Sequence, residues 1–312
     1  MNESRTLDGL VIGVPSVPRA RGYVEETVQS LVDSLRVSAG IAGSEQAREQ
    51  AREQAREQAR ERVAAPVRLV LLNAAVPPVG HPEVERITRV HRVLVDAGTL
   101  EIIGLQAPHE AQRALGPQSD YDRWMTKHNL DVALLMEACA TRGTYYLHLE
   151  DDVLASPDWR PRLAAWMSRY FPAHGDWAML CLYHSHHWPD RQEYALERFH
   201  GAMGLLFRCA DLPPLVAYLR RRCAEAPNDW LIRDYLLETG GRAFVHTPSL
   251  FQHIGILSSR GDRVQLLDAP SYEESWWPRQ RRQLSALGTL LRRTPRRALA
   301  MVWQRIRMVI GY

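Results

Sequence analysis

The run Thr144-Tyr145-Tyr146-Leu147-His148-Leu149 ends in three consecutive acids, Glu150-Asp151-Asp152. Its aromatic and aliphatic composition predicts a buried strand. Three adjacent carboxylates repel one another, and a divalent cation with oxygen ligands is one reason for a fold to keep them together. Open α/β sheets bind ligands outside the carboxyl ends of their strands, which is where this triplet falls. A solvated acidic turn accounts for the bare triplet as well. Two later residues extend the chemistry. His253 offers an additional metal ligand, and Asp229, in Pro227-Asn228-Asp229-Trp230, offers a carboxylate base or a plain helix N-cap. Sugar transfer from a nucleotide diphosphate needs such a set: a cation against the leaving diphosphate and a base for the acceptor hydroxyl.

The elements that must position these groups alternate. Strands are expected at Leu10 to Pro15, Pro66 to Asn73, Leu100 to Leu105, Thr144 to Val153, Trp177 to Tyr183 and Arg242 to His246. Helical spacing occupies Tyr23 to Val37, His81 to Ala97, Ser119 to Arg142, Pro157 to Tyr170, Leu212 to Cys223 and Trp230 to Glu238. This rhythm predicts an α/β chain with a mostly parallel central sheet flanked by helices. Phe199 to Cys209 carries Gly201 and Gly204 and reads as a strand or loop where something approaches the backbone closely, so Gly204 is a candidate substrate contact. His184, His186 and His187 read as a mobile polar loop, because no fourth zinc ligand accompanies them.

Composition narrows the classes. The 312 residues are 46% hydrophobic, enough for a real core. Cys139, Cys181, Cys209 and Cys223 lack CxxC spacing and are expected as buried thiols in a reducing compartment. The first residues show no signal-peptide pattern, and a cytoplasmic chain is expected. Charge is uneven: the net is +3, yet nine arginines and no acid occupy 275–312, leaving −6 on the rest. Such a tail suits an anionic membrane surface, not a chain-wide nucleic-acid footprint, so no nucleic-acid partner is expected. The stretch 276–312 is expected as a basic amphipathic helical tail, either docked peripherally on the inner face of the membrane or packed as a terminal helix on the domain. Residues 44–63 are a Glu-Gln-Ala-Arg repeat, expected as a solvated helical insert within a catalytic domain spanning 1–275. Lys127 is the one lysine among 39 basic residues, a bias expected of a GC-rich bacterial genome.

Several separated stretches resemble the N-acetylglucosaminyltransferase IV family. They are Val11-Ile12-Gly13-Val14-Pro15-Ser16-Val17-Pro18-Arg19; Arg123-Trp124-Met125-Thr126-Lys127-His128-Asn129-Leu130-Asp131; Tyr145 to Asp152; Pro227-Asn228-Asp229-Trp230-Leu231; and Pro248-Ser249-Leu250-Phe251-Gln252-His253-Ile254-Gly255-Ile256-Leu257-Ser258-Ser259. The resemblance runs in order over residues 10–272. It implies a GT-A-type, Rossmann-like fold, UDP-GlcNAc as donor, Mn²⁺ or Mg²⁺ as cofactor, and inversion at the anomeric carbon. It further implies Asp152, Glu150 and His253 at the metal, Asp151 near the ribose, and Asp229 as base. Arg123 and Lys127 would direct positive charge toward the donor. Pro15, Arg19 and, by position only, Asn73 would seat the nucleotide.

The resemblance leaves the acceptor open: a hydroxyl of a glycan or a glycolipid. The repeat and the His184 loop have no counterpart in the family. Two other readings stand beside it, a non-catalytic sugar-nucleotide-binding or membrane-associated scaffold with the same fold, and a metal-dependent hydrolase. The second lacks another carboxylate cluster for a paired-metal site.

Overall fold

The computed structural model describes residues 7–37, 67–171, 175–185, 193–199, 201–257 and 267–273, with a few helical positions between 281 and 289. The 44–63 repeat, His186, His187 and the tail beyond 289 lie outside the described residues. No helix among the described residues is long and apolar enough to cross a membrane.

Strand β1 (Leu10–Ser16) is buried along its whole length and forms the axis of the sheet. It pairs in parallel with β2 (Arg68–Asn73) on one side and with β4 (Tyr145–His148) on the other, and β3 (Leu100–Gly104) adds in parallel beyond β2. Strand β7 (Leu205–Arg208) then runs antiparallel to β4 and to β6 (Met179–Cys181), and β8 (Ala243–Val245) closes the far edge parallel to β6. The order is β3-β2-β1-β4-β7-β6-β8, an α/β sheet of Rossmann-like arrangement, as the alternation predicts. The parallel registers Ser16↔Asn73 and Gly13↔His148 point the carboxyl ends of β1, β2 and β4 to the same side of the sheet, with β4 ending three residues short of β1.

Side chains alternate across β1, so both faces need cover. Leu10, Ile12 and Val14 pack with α1 (Val24–Val37), α2 (Pro82–Val90) and α6 (Trp159–Tyr170). Val11 and β2 residues Val70 and Leu72 meet the opposite layer, made by α5 (Asp120–Ala140), α7 (Leu212–Arg221) and α8 (Asn228–Thr239). Ser119 caps α5, accepting the Asp122 N–H at 3.1 Å.

Three local expectations are revised. The stretch 81–97 is two helices, α2 and α3 (Arg92–Asp96), because His91 adopts φ −103°, ψ 27° and turns inward between exposed Val90 and Val93. A further short helix, α4 (Glu110–Ala114), precedes α5. The acids do not end a strand directly: β4 stops at His148, and residues 149–152 form a turn into β5 (Val153–Ala155). Strand β5 pairs antiparallel with β9 (Phe251–His253) in a separate two-stranded ribbon.

Candidate active site

The ribbon assembles the acidic cluster. Val153 is the register partner of His253, and the Ile254 N–H donates to the Asp152 carbonyl at 2.8 Å. Residues 100 positions apart in sequence are thereby neighbours. His253 Nε2 lies 3.5 Å from Asp152 Oδ2. Glu150, Asp152 and His253 each offer a ligand atom, all within 4.8 Å of one another.

The loop after β1 reaches the same cluster. Arg19 donates to Asp152 Oδ2 at 2.9 Å and also bonds Asp151 Oδ1. Ser16 Oγ donates to Asp151 Oδ2 at 2.6 Å and meets His81 Nε2 at 3.0 Å. Both Asp151 oxygens are therefore held by the protein. Asp152 Oδ1, in contrast, is buried without a hydrogen-bond partner. A buried acceptor of this kind is costly unless something positive occupies it. Two carboxylates, one imidazole and an unsatisfied oxygen suit a divalent cation such as Mn²⁺ or Mg²⁺.

The electrostatics divide the three acids. Burial, reinforced by the Asp152 charge, pushes Glu150 up to about 7. Burial likewise pushes Asp151 up to about 6, with Arg19 opposing. Burial would also raise Asp152, but His253 and Arg19 outweigh it and hold this carboxyl below the usual range. Burial works against the His253 cation, and Asp152 overrides it, so His253 moves up. Asp152 is thus the acid held ionised, while burial favours the neutral form of both Glu150 and Asp151.

These groups open on a cavity of about 590 Å³. Its lining includes Pro15, Arg19, Lys127, Glu150, Asp151, Asp152, Asp229 and His253. Asp229 is not the helix cap. Pro227 holds that position, and Asp229 lies in the first turn of α8. Its Oδ2 accepts the Gly201 N–H at 2.8 Å. Gly201 has φ +82°, a conformation that turns its N–H toward α8 at little cost to glycine alone. Lys127 Nζ is held by the Ala74 carbonyl at 2.8 Å and by Asp131 Oδ2 at 2.6 Å.

Three sequence candidates fall elsewhere. Gly204 is approached closely, but by Tyr183: a Cβ at position 204 would stand 3.1 Å from the Tyr183 backbone nitrogen, and Gly204 does not line the cavity. Arg123 is exposed: its guanidinium donates to the Gln118 carbonyl and approaches Asp120, which folds it back over the start of α5 and off the cavity lining. Asn73 turns back on its own loop, accepting the Ala75 N–H at 3.1 Å. His184 is no mobile loop residue: it is buried, and its N–H donates to Ser249 Oγ at 3.2 Å.

Other contributors carry weak sequence signals. Ser16 orients Asp151, and Asp131 orients Lys127. Gly255 matters most among them: a Cβ there would stand 2.2 Å from Asp152 Oδ2 and 3.0 Å from His253 Nε2. Its place in the His253-Ile254-Gly255 string was the available clue.

Residues 67–272 match the family model described as the MGAT4 conserved region. The chain is 25% identical over 291 residues to the zebrafish (Danio rerio) alpha-1,3-mannosyl-glycoprotein 4-beta-N-acetylglucosaminyltransferase B, covering 86% of this chain and 45% of that protein. It is 26% identical over 290 residues to the human B enzyme, with 86% and 45% covered, and 25% identical over 299 residues to the mouse A enzyme, with 87% and 47% covered. The chain spans about half the length of the curated relatives it matches. The family model covers well over half of this chain, from β2 through the His253 string to Tyr272, and on that match the chain belongs to the MGAT4 conserved region family.

Proposed function

We propose that this chain is an inverting, metal-dependent glycosyltransferase that moves GlcNAc from UDP-GlcNAc to a hydroxyl of a glycan or glycolipid. The observation that carries this is one cavity with the Glu150, Asp152 and His253 cluster and the Asp229 carboxylate both on its walls. The relatives are named for GlcNAc transfer with a β linkage to a mannosyl glycoprotein, and a β product from an α-linked sugar nucleotide requires inversion.

A divalent cation held by Glu150, Asp152 and His253 would supply positive charge to the departing diphosphate. The chain's own residues do the rest. Arg19, fixed by Asp151 and Asp152, presents a guanidinium beside the same oxygens, a geometry suited to phosphate. Lys127, anchored by Asp131 and the Ala74 carbonyl, adds a cation on the cavity wall. Pro15 and Ser16 at the end of β1, with Val17 in the loop after it, border the cavity and offer the nucleoside its seat. Asp229 takes the proton of the acceptor hydroxyl as its oxygen bonds to the anomeric carbon, while the bond from that carbon to the phosphate oxygen breaks and UDP leaves with the electron pair. The Gly201 N–H holds one carboxylate oxygen and so aims the other.

Calorimetric titration of UDP with and without Mn²⁺, paired with a transfer assay, tests this. Asp229→Asn should keep UDP affinity and lose transfer by roughly 10²–10⁴-fold. Transfer at the wild-type rate in that variant would remove Asp229 as base. Docking of the arginine-rich tail on the cytoplasmic side of an anionic membrane completes the proposal. Sedimentation of the full chain with anionic vesicles should be lost on truncation after Ser275, and co-sedimentation of the truncated chain would discard the tail as anchor.

A further inference from the structure

One wall of the cavity takes no part in this chemistry. Tyr121 and Trp124 stand near the start of α5, and Trp230 follows Asp229 in the first turn of α8. All three line the cavity that holds the acids. Trp124 lies nearly parallel on His128, with ring centroids 5.5 Å apart and planes 8° from parallel. Tyr121 meets Trp124 at 6.1 Å between centroids. His128 Nε2 is 3.4 Å from Asn228 Nδ2, so the series of rings runs from α5 to the residue before Asp229.

Trp230 is 49% exposed and Tyr121 39%. Large aromatic residues are usually driven under cover, and a cluster of half-exposed ones at a cavity mouth marks a binding surface. The kind of ligand follows from the shape. A flat ring bordered by hydrogen-bonding groups accepts the C–H face of a pyranose while its hydroxyls reach the polar rim. That rim is present in Asn228 and Asp229, which line the cavity beside Trp230, while the Arg233 guanidinium lies over one face of the Trp230 ring, 5.2 Å from its centroid. Trp230 is carried by the helix that carries Asp229. The loops after β1 and β2, with Val17 and Ala74, border the cavity beside Arg19 and Lys127 and give the nucleoside a wall of its own.

We propose that Trp230, with Trp124 and Tyr121 lining the same cavity, is the acceptor subsite, a platform for the pyranose ring whose hydroxyl is presented to Asp229. This rests on the transferase reading above. The test is saturation-transfer NMR on the full chain with Mn²⁺ and UDP, using α1,3-mannobiose, chitobiose and lactose as probes, with the UDP Kd measured by calorimetry on the same samples. Saturation of the protein's aromatic protons should reach the C–H protons of at least one disaccharide. Trp230→Ala should abolish that transfer and raise the acceptor KM by about tenfold or more, Trp230→Phe should restore most of it, and the UDP Kd should stay within about twofold in both. Undiminished transfer in Trp230→Ala overturns the proposal. A fall in UDP affinity in that variant assigns the wall to the nucleoside and overturns it as well. A wild-type chain that binds UDP but transfers saturation to none of the probes overturns the platform and leaves the donor reading standing. A wild-type chain that binds no UDP removes both.

Discussion

Asp152 is where the residue scale decides most. One of its oxygens accepts from Arg19 and faces His253, the other is buried without a partner, and the Gly255 backbone passes close enough that a methyl group would collide with it. Gly255→Ala therefore forces the Asp152 carboxylate aside. We expect a stability loss of about 1–3 kcal/mol from the overpacking, together with at least about a tenfold loss of Mn²⁺ affinity. Urea denaturation and Mn²⁺ titration read the two separately, and wild-type Mn²⁺ affinity in the variant would disconnect Gly255 from the proposed cation site. At this scale the acids, His253 and Asp229 are legible in the sequence because their chemistry is rare in such an arrangement. Gly255 and Ser16 are not, because their roles are set by what lies across space from them.

The ribbon of β5 and β9 is the element on which the cluster depends. Its outer edge is not left open. The Val153 and Ala155 N–H groups donate to Thr27 Oγ1 and Ser30 Oγ on α1, each at 3.1 Å, and Trp159 Nε1 donates to Ser34 Oγ at 2.8 Å. Positions 27, 30 and 34 share one helix face, so α1 completes an edge strand with hydroxyls in place of a further strand. Thr27→Val keeps the shape and removes the acceptor. A buried N–H left unmatched costs about 1–3 kcal/mol, which a urea midpoint comparison would show. A change below about 0.5 kcal/mol would mean that the edge is satisfied some other way. The spacing of apolar residues in α1 predicts its helix, yet nothing local announces that its hydroxyls dock on β5. The ribbon itself is three residues against three, too short for a periodic signal, with its halves 100 residues apart.

At the scale of the whole molecule, buried histidines carry part of the pH response. His81 is pulled down to about 4, by burial first and then by Arg19 and Arg86. Its folded pKa lies below the unfolded value of 6.5, so the unfolded chain binds the proton first as pH falls. The stability linked to His81 is fully present above pH 6.5 and is lost as pH drops through about 4. His148, buried beside Tyr146 and pulled down to about 3 by burial, acts in the same direction. Glu150 and Asp151, raised by burial, hold protons in the folded state and oppose the histidines over the same window. A difference measurement isolates one term. His81→Gln can keep the bond to Ser16 without titrating, so its stability relative to wild type should rise by up to about 3 kcal/mol between pH 7.5 and pH 4. A difference that stays constant with pH would show that His81 charges freely in the fold.

The sequence by itself determined the alternation of elements, the parallel half of the sheet and the placement of the acids beyond a central strand. These are local matters: periodicity 2 or 3.6 and a change from apolar to charged residues are written in consecutive positions. The family, too, is readable from motifs that keep their order. Tertiary structure alone decided which motif residues meet. Lys127 faces the cavity and Arg123, four residues earlier, does not; Gly201 holds Asp229 while Gly204 only makes room for Tyr183. It also decided that β7 enters antiparallel and that β5 and β9 bring His253 to Asp152. Pairing across 100 residues is chosen by the global minimum of packing and hydrogen bonding, which no short window of sequence contains.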